Sequence, residues 1–131
     1  MIVVDASALL EVLLATEAGQ RVADRLFAPG ETLHAPHLID LEVAQVLRRY
    51  VRSGEVGAAR GAEALDDLGD IPIARYPHDI FLPRIWELRH AVTAYDAAYL
   101  ALAEALEAPL ATRDQALGRA PGHHARVEVV S

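Results

Sequence analysis

Cysteine is absent from the 131-residue chain. Its absence excludes disulfide bonds, thiolate metal sites and a cysteine nucleophile. Any bound metal ion would therefore be held by carboxylates or histidines. Carboxylate oxygens favour hard ions such as Mg²⁺ or Mn²⁺ over structural zinc.

Lysine is also absent, so arginine supplies all 12 permanently cationic side chains, while 19 Asp and Glu residues bring the formal net charge to −7. This balance argues against a protein that binds nucleic acid through its overall charge. It leaves open a local rim of arginines around a site that holds a metal ion.

Long apolar runs are lacking as well. The longest apolar stretches, such as residues 1–4 and 97–103, are far too short to span a bilayer. The first residues lack the basic start of a secretion signal, so we expect a cytoplasmic protein without membrane contact. No repeat or linker-like tract interrupts the chain. We therefore expect one domain over residues 1–131, long enough to bury a core.

Alternating strand and helix patterns predict the fold. Residues 2–4 form a β-branched run typical of a buried parallel strand. The whole chain follows the order β-α-α-β-α-α-β-α-α-β-α-β, which predicts an α/β domain with a parallel sheet of about five short strands and helices on both faces. The predicted strands cover residues 2–4, 32–35, 71–74, 109–112 and 126–130, and the predicted helices cover 8–14, 17–27, 38–52, 55–68, 79–90, 93–107 and 115–117. Pro72 indicates an edge strand, and Ser7 is the expected cap of the first helix.

Three acids stand at the ends of predicted elements. Asp5 ends the first strand and Asp114 follows the fourth, and ligands of open parallel sheets bind at the carboxyl ends of strands. Asp96 lies in the first turn of an alanine-rich helix, where a carboxylate faces unpaired amide groups. Each acid also has an ordinary structural interpretation. Asp5 could be a strand terminator, Asp114 could cap the helix at residues 115–117, and Asp96, with Thr93, could be part of a helix cap.

A fourth acid lies on the predicted helix 38–52. Glu42 is at the edge of the apolar arc of that helix, four residues from both Leu38 and Val46. Because an unpaired buried carboxylate is costly, Glu42 is expected either to face a partner beyond its own helix or to reach water at the rim. Asp40 is close by, and helical periodicity alone does not choose between the two acids.

Convergence of these acids would create a cation site. Two carboxylates about 4 Å apart repel by roughly 4 kcal/mol at an effective dielectric constant near 20. Such a cluster persists only where cations or shared protons offset the repulsion. The four acids therefore predict an oxygen-ligand site for Mg²⁺ or Mn²⁺, with open positions for a phosphate oxygen and water.

Four stretches of the sequence resemble a known family. They are VVDASAL (residues 3–9), APHLIDLE (35–42), YDAAYLALA (95–103) and LATRD (110–114). Together they are similar to PIN-domain ribonucleases, in particular to the VapC-type toxins of bacterial toxin–antitoxin pairs. The resemblance covers essentially the whole chain in the right order, and its most specific part surrounds Asp96. It also selects Glu42 over Asp40.

The resemblance implies a Mg²⁺- or Mn²⁺-dependent endoribonuclease that acts as the toxin of a type II toxin–antitoxin system. In that family, the acids that match Asp5, Glu42, Asp96 and Asp114 hold the metal ion or ions and are the catalytic residues. A metal-activated water attacks the scissile phosphate and leaves a 5′-phosphate and a 3′-hydroxyl. None of the four acids is missing, so no departure indicates an inactive copy.

The resemblance has further implications for supporting residues and partners. The hydroxyls of Ser7 and Thr112 match positions that often support the acids. Family toxins are usually homodimers that act on RNA and are silenced by a cognate antitoxin. The tail of that antitoxin covers the active site and can insert an arginine among the acids.

Two other functional classes remain open from the residues alone. A phosphoryl-transfer protein could use Asp5 as its nucleophile, but such proteins usually carry a second aspartate where Ser7 stands. A non-catalytic RNA-binding PIN module would be expected to have lost one of the acids.

Several side chains near the predicted site have open roles. Substrate contacts are expected from arginines that the sequence does not rank, namely Arg49, Arg84, Arg89 and Arg113. Trp86 is expected in the core or in a dimer contact rather than as a stacking platform. The adjacent His123 and His124 are expected to be solvated loop residues rather than metal ligands.

Overall fold

Five short strands form one sheet in the computed structural model, which describes residues 1–131. The strands are β1 (Ile2–Val4), β2 (Leu33–Pro36), β3 (Ile73–Tyr76), β4 (Leu110–Thr112) and β5 (Val127–Val129). Their spatial order is β3-β2-β1-β4-β5, and every neighbouring pair is parallel. The predicted α/β class and the parallel five-stranded sheet are confirmed.

Helical crossovers connect the strands, as parallel pairing requires. The helices are α1 (Ala6–Leu13), α2 (Gly19–Leu26), α3 (Leu38–Ser53), α4 (Ala58–Asp70), α5 (Leu82–Glu87), α6 (Ala94–Leu106) and α7 (Gln115–Gly118), with a 3₁₀ turn at Asp79–Phe81. One group packs α1 against α2, α3 and α4, and a second packs α5 on α6 and α6 on β1, β2 and β4. Crossovers between parallel strands are right-handed. From β1 to β3 the chain moves towards one edge of the sheet, and after β3 it crosses back to β4 and β5. The two groups of helices therefore lie on opposite faces of the sheet.

The core lies between the sheet and the two helical layers. All three residues of β1 are fully buried, as expected for a central strand covered on both faces. Helix α6 buries seven consecutive residues, 97–103, of which four are alanines. Small side chains let this helix lie close to the sheet, which brings its first turn near the ends of the strands. None of the helices combines the length and apolarity needed to cross a membrane.

Several predicted boundaries differ from the structure. Asp5, rather than Ser7, is the N-cap of α1, because its carboxylate accepts a hydrogen bond from Ala8 N at 3.0 Å. Helix α4 starts after Gly57 and runs through Gly69, which was expected to end it. The predicted helix 79–90 is a 3₁₀ turn followed by the six residues of α5. The edge position of β3 is confirmed, and the strand begins after Pro72.

Candidate active site

The site lies at the carboxyl ends of the neighbouring strands β1 and β4. The connection after β1 leads to β2 on one side of this pair, and the connection after β4 leads to β5 on the other side. The carboxyl ends of two such strands diverge at a topological switch point and leave a crevice. Asp5 follows β1, and Asp114 follows β4 after one intervening residue. This crevice is the place where parallel α/β sheets bind their ligands.

Five acidic side chains line one pocket of about 630 Å³ at this crevice. Four of them are the predicted acids, Asp5, Glu42, Asp96 and Asp114, and the fifth is Glu11, which was not predicted and lies 3.5 Å from Arg113. The four predicted acids come from the end of β1, the second turn of α3, the first turn of α6 and the turn after β4. The structure therefore brings all four predicted acids together, although they are up to 109 residues apart in the sequence. Their roles in metal binding and catalysis stay predictions.

Asp5 is held by hydroxyl groups on both sides. Its Oδ1 accepts hydrogen bonds from Ser7 Oγ at 2.7 Å and from Ala8 N at 3.0 Å, and its Oδ2 accepts one from Thr112 Oγ1. Burial raises the pKa of Asp5, and the bonds from Thr112 and Ser7 oppose that shift. The predicted supporting hydroxyls thus contact the acid that they were expected to support.

The same hydroxyls also fix the turn that follows β4. Ser7 Oγ accepts a hydrogen bond from Arg113 N, and Thr112 Oγ1 accepts one from Asp114 N, both at 3.0 Å. Each hydroxyl therefore donates to Asp5 and accepts from the backbone beside Asp114. This network ties the ends of β1 and β4 together and sets the positions of two acids at once.

Glu42 is oriented by Tyr99, a buried residue of α6. Tyr99 is 1% exposed, and its hydroxyl donates to Glu42 Oε1 at 2.7 Å. Burial raises the pKa of Glu42, the Tyr99 bond opposes this, and the charges of Asp96 and Asp5 add to the rise. A buried tyrosine hydroxyl usually finds a partner, and that rule was the available signal for Tyr99.

Asp40 lies outside the pocket because it has another partner. Arg75 binds it through two parallel hydrogen bonds of 2.7 and 2.8 Å. This fork-like pairing is the geometry that arginine and carboxylate prefer. Helical periodicity did not choose between Asp40 and Glu42 as the acid of the site. The pairing of Asp40 with Arg75 agrees with the family resemblance, which selects Glu42.

Asp96 lies in the first turn of α6 and also lines the pocket. The cap of α6 is made by Thr93, whose Oγ1 accepts from Asp96 N at 3.1 Å, so the cap uses the Asp96 amide and not its carboxylate. Burial raises the pKa of Asp96, and the charges of Asp114 and Asp5 raise it further. The carboxylate is thus directed at the other acids.

Asp114 caps a helix and also lines the acid pocket. Its Oδ1 caps α7 by accepting from Ala116 N at 2.8 Å and from Leu117 N at 3.3 Å. These bonds use one carboxylate oxygen, and the side chain also lines the acid pocket. A helix cap and a cation ligand are therefore compatible at this residue.

The donor set fits a hard divalent cation by its chemistry. No three acidic or histidine side chains are close enough together to form a preformed metal cage. However, Mg²⁺ commonly uses one or two carboxylates and completes its octahedron with waters and substrate phosphates. Burial raises the pKa values of Asp5, Glu42 and Asp96, and the charges of neighbouring acids add to each rise, so a bound cation would stabilise the ionised carboxylates.

Two of the candidate arginines, Arg49 and Arg113, line the pocket of the acids, whereas Arg84, Trp86 and His124 lie outside it. Arg84 binds Glu104 through two hydrogen bonds, of 2.9 and 3.0 Å. His124 is exposed, with its ring 3.8 Å from the same glutamate. Trp86 is 68% exposed, which excludes the core and leaves the dimer contact as a prediction. Its ring lies 4.8 Å from the guanidinium of Arg89.

Sequence comparison places the chain among known proteins. The family model described as PIN domain matches residues 2–122. Ribonuclease VapC12 of Mycobacterium tuberculosis is 41% identical over 131 residues, covering 100% of both chains. VapC ribonuclease Mb0985 of Mycobacterium bovis is 49% identical over 114 residues, which cover 87% of this chain and 86% of that protein.

Solved structures share the fold. PAE2754 from Pyrobaculum aerophilum superposes with a TM-score of 0.71 at 27% identity, covering 98% of this chain and 83% of the other. VapBC2 from Rickettsia felis, crystallised with a DNA fragment from its promoter, gives a TM-score of 0.71 at 14% identity and covers 98% of both chains. The latter likeness is one of fold alone. The family match over nearly the whole chain and the full-length relative together show that this protein belongs to the PIN domain family, in its VapC-type branch.

Proposed function

We propose that this protein is a Mg²⁺- or Mn²⁺-dependent endoribonuclease that acts as the toxin of a type II toxin–antitoxin system. The observation that carries the proposal is the meeting of four carboxylates from separate elements in one pocket. Relatives named ribonucleases, at 41% and 49% identity, support RNA as the substrate.

In this proposal Asp5 and Asp96 bind the cation directly, and Glu42 and Asp114 do so directly or through water. When bound, the divalent cation would polarise a phosphoryl oxygen and lower the pKa of an attacking water. Ser7 and Thr112 hold both oxygens of Asp5 in place. Such outer hydrogen bonds fix ligand orientation in metal sites generally.

The reaction is a hydrolysis. The oxygen of water bonds to phosphorus, the bond from phosphorus to the 3′ oxygen breaks, and a proton goes to that oxygen. The products are a 5′-phosphate and a 3′-hydroxyl. The acids contribute by orienting the reacting groups, and an acid that reaches the cation only through water can accept the proton that the attacking water releases.

The proposed partners follow from the charge of the pocket. A basic segment of a cognate antitoxin would offset the repulsion among the acids, with an arginine or lysine in place of the cation. The toxin would act in the cytoplasm, as a homodimer. Co-expression with the adjacent small gene should yield a stable, inactive complex, whereas recovery of this chain alone, active and harmless to the cell, would contradict the toxin role.

The phosphoryl-transfer alternative is disfavoured by the residue two positions after Asp5. Proteins that use such an aspartate as nucleophile usually carry a second aspartate there, and this chain has Ser7. The hydroxyl of Ser7 instead donates a hydrogen bond to Asp5. A non-catalytic RNA-binding module is disfavoured because none of the four acids is missing.

The test is cleavage of labelled RNA with Mg²⁺ or Mn²⁺. We expect Glu42→Gln and Asp96→Asn to abolish cleavage, and Asp40→Asn to retain it because Asp40 is paired with Arg75 outside the pocket. An acyl-phosphate trap run in parallel should capture nothing. Cleavage by Asp96→Asn at the parental rate would contradict the proposal.

A further inference from the structure

A second pocket adjoins the pocket of the acids. Its volume is about 490 Å³, and it shares Asp96 and Asp114 with the first pocket. The first pocket extends to Arg49 on α3, and the second extends to Arg89 and His90. Both pockets therefore include these two carboxylates, and each pocket also has an arginine that the other lacks. Both volumes lie in the range of about 300–1,000 Å³ that is typical of small-ligand pockets.

Arg49 and Arg89 are the arginines of these two pockets that form no ion pair within the chain. The ion pairs of the chain engage Arg25, Arg60, Arg75, Arg84, Arg113 and Arg126. Arg113 lines the first pocket but lies 3.5 Å from Glu11 and donates to Val130 O. Arg49 and Arg89 are in none of these ion pairs, so their positive charge is not neutralised within the chain.

Arg89 is also held in a defined position. Its Nη1 donates to Trp86 O at 2.8 Å, and its guanidinium lies 4.8 Å from the centre of the Trp86 ring. These contacts use one of the five N–H donors of the group. The remaining donors are available to a phosphate, which arginine binds through paired hydrogen bonds.

An exposed aromatic ring lies beside the acids. Tyr95 is 65% exposed, immediately precedes Asp96, and lines the first pocket. Large aromatic rings are enriched at binding surfaces, where they supply contact area at low entropic cost. Proteins that recognise single-stranded RNA stack unpaired bases on such rings.

We propose that a single-stranded RNA segment lies across both pockets, with phosphates on the two sides of the cleaved bond held by Arg49 and Arg89 and a base stacked on Tyr95. This assignment rests on the proposed ribonuclease function. With a formal net charge of −7, the chain as a whole repels RNA. Two unpaired arginines beside the acids are therefore the contacts that hold the backbone.

The experiment measures binding of a fluorescent single-stranded oligoribonucleotide in the Asp5→Asn background, which is expected to be inactive and so to leave the RNA intact. Affinity is recorded against salt concentration, because the slope of log K against log[salt] falls by about 0.7 for each single-strand phosphate contact that is lost. Arg49→Ala and Arg89→Ala are compared with Arg48→Ala and Arg119→Ala. These two control arginines are exposed and line neither pocket.

We expect Arg49→Ala and Arg89→Ala each to reduce the slope by about 0.7 and the double variant by about 1.4, with no change in either control. Tyr95→Ala should weaken binding about 5- to 150-fold, as loss of one stacked base does, while Tyr95→Phe should bind as the parent does. A slope unchanged in Arg49→Ala or in Arg89→Ala overturns the path across both pockets. Loss of antitoxin binding with unchanged RNA binding would assign the surface to a protein and would also overturn it.

The outcome separates the path from the function on which it rests. If the Asp5→Asn chain still cleaves RNA, the proposed catalytic site is wrong. If neither this chain nor the parent binds RNA, the ribonuclease proposal and the path fall together. If the parent cleaves and the arginine variants bind as the controls do, the path alone is wrong.

Discussion

The hydroxyl of Tyr99 donates a hydrogen bond to Oε1 of Glu42 at 2.7 Å, which joins α6 to α3 across the acid pocket. The two residues are 57 positions apart in the chain. Tyr99 is anchored in the core at 1% exposure, so it offers Glu42 a fixed hydrogen-bond donor. Burial raises the pKa of Tyr99, the hydrogen bond and charge of Glu42 add to the rise, and the hydroxyl keeps its proton.

Tyr99→Phe should lower RNA cleavage by about 10- to 100-fold, the usual effect of losing a residue that orients a metal ligand. The ring stays in the core, so the fold should persist. The matched control is Tyr76→Phe, which removes a hydroxyl bonded to His34 Nδ1 at 2.7 Å and lies outside the pocket. The control should affect stability without affecting cleavage. Equal cleavage by Tyr99→Phe and the parent would leave Tyr99 as a core residue only.

Thr112→Val should weaken both folding and activity. The substitution keeps the shape of the side chain but leaves a buried oxygen of Asp5 and the amide of Asp114 without their hydroxyl partner. Unsatisfied buried groups of this kind cost about 1–3 kcal/mol, measurable as a loss in the free energy of unfolding. Thr112→Ser should restore much of both properties. A Thr112→Val chain with parental stability and cleavage would contradict the proposed network.

Asp96→Asn should raise the stability of the protein at pH 7.5 in the absence of divalent ions. Burial and the charges of Asp114 and Asp5 raise the pKa of Asp96 in the folded state. Because folding raises this pKa, Asp96 contributes most to stability below its ordinary pKa of 3.8. That contribution is lost as the pH rises through the raised pKa. Asparagine avoids that loss.

The advantage of Asp96→Asn over the parent should therefore shrink as the pH falls towards 4, where the parental carboxyl becomes protonated. Urea unfolding in EDTA at several pH values measures this difference. Asp40→Asn is the contrasting variant, since it breaks the pairing with Arg75 and should give no gain. A parent that is more stable than Asp96→Asn at pH 7.5 in EDTA would contradict the electrostatic interpretation.

Mn²⁺ should raise the melting temperature strongly at pH 7.5 and much less at pH 5. A cation binds the deprotonated carboxylates, and protons compete most where the pKa values of Asp5, Glu42 and Asp96 are raised. Binding at 100 times the dissociation constant adds about 2.7 kcal/mol of stability. The Asp5→Ala, Asp96→Ala double variant should lack the shift. A melting temperature indifferent to divalent ions at pH 7.5 would leave the acids as helix caps and strand ends.

The loss of stability that we expect at low pH has a different origin. Bonds from Arg84 and Arg25 lower the pKa values of Glu104 and Glu128 respectively. A carboxylate whose pKa is lowered by folding stabilises the fold above its ordinary pKa. That contribution to the free energy of unfolding is lost as the pH falls through the lowered pKa. These pairs lie away from the acid pocket, so Mn²⁺ should not change this part of the profile.

The sequence by itself determined the order of strands and helices, the parallel sheet and the placement of Asp5 and Asp114 after strands. These features depend on local periodicity and on residues that begin or end elements, and both act over a few positions. The family resemblance then identified four of the five acids that line the pocket, and Glu11 was not predicted. Boundaries such as the cap of α1 were less certain, because Asp5 and Ser7 were both chemically able to occupy it.

Only the tertiary structure decided which polar groups face one another. Asp40 is paired with Arg75, 35 residues away, and Arg84 with Glu104, 20 residues away, while Arg49 and Arg89 keep their charge beside the acids. The hydroxyl of Tyr99 became a contact of Glu42 only when α6 packed beside α3. Hydrogen bonds and ion pairs act over about 3–4 Å, so partners distant in sequence are chosen by the packing of the elements that carry them.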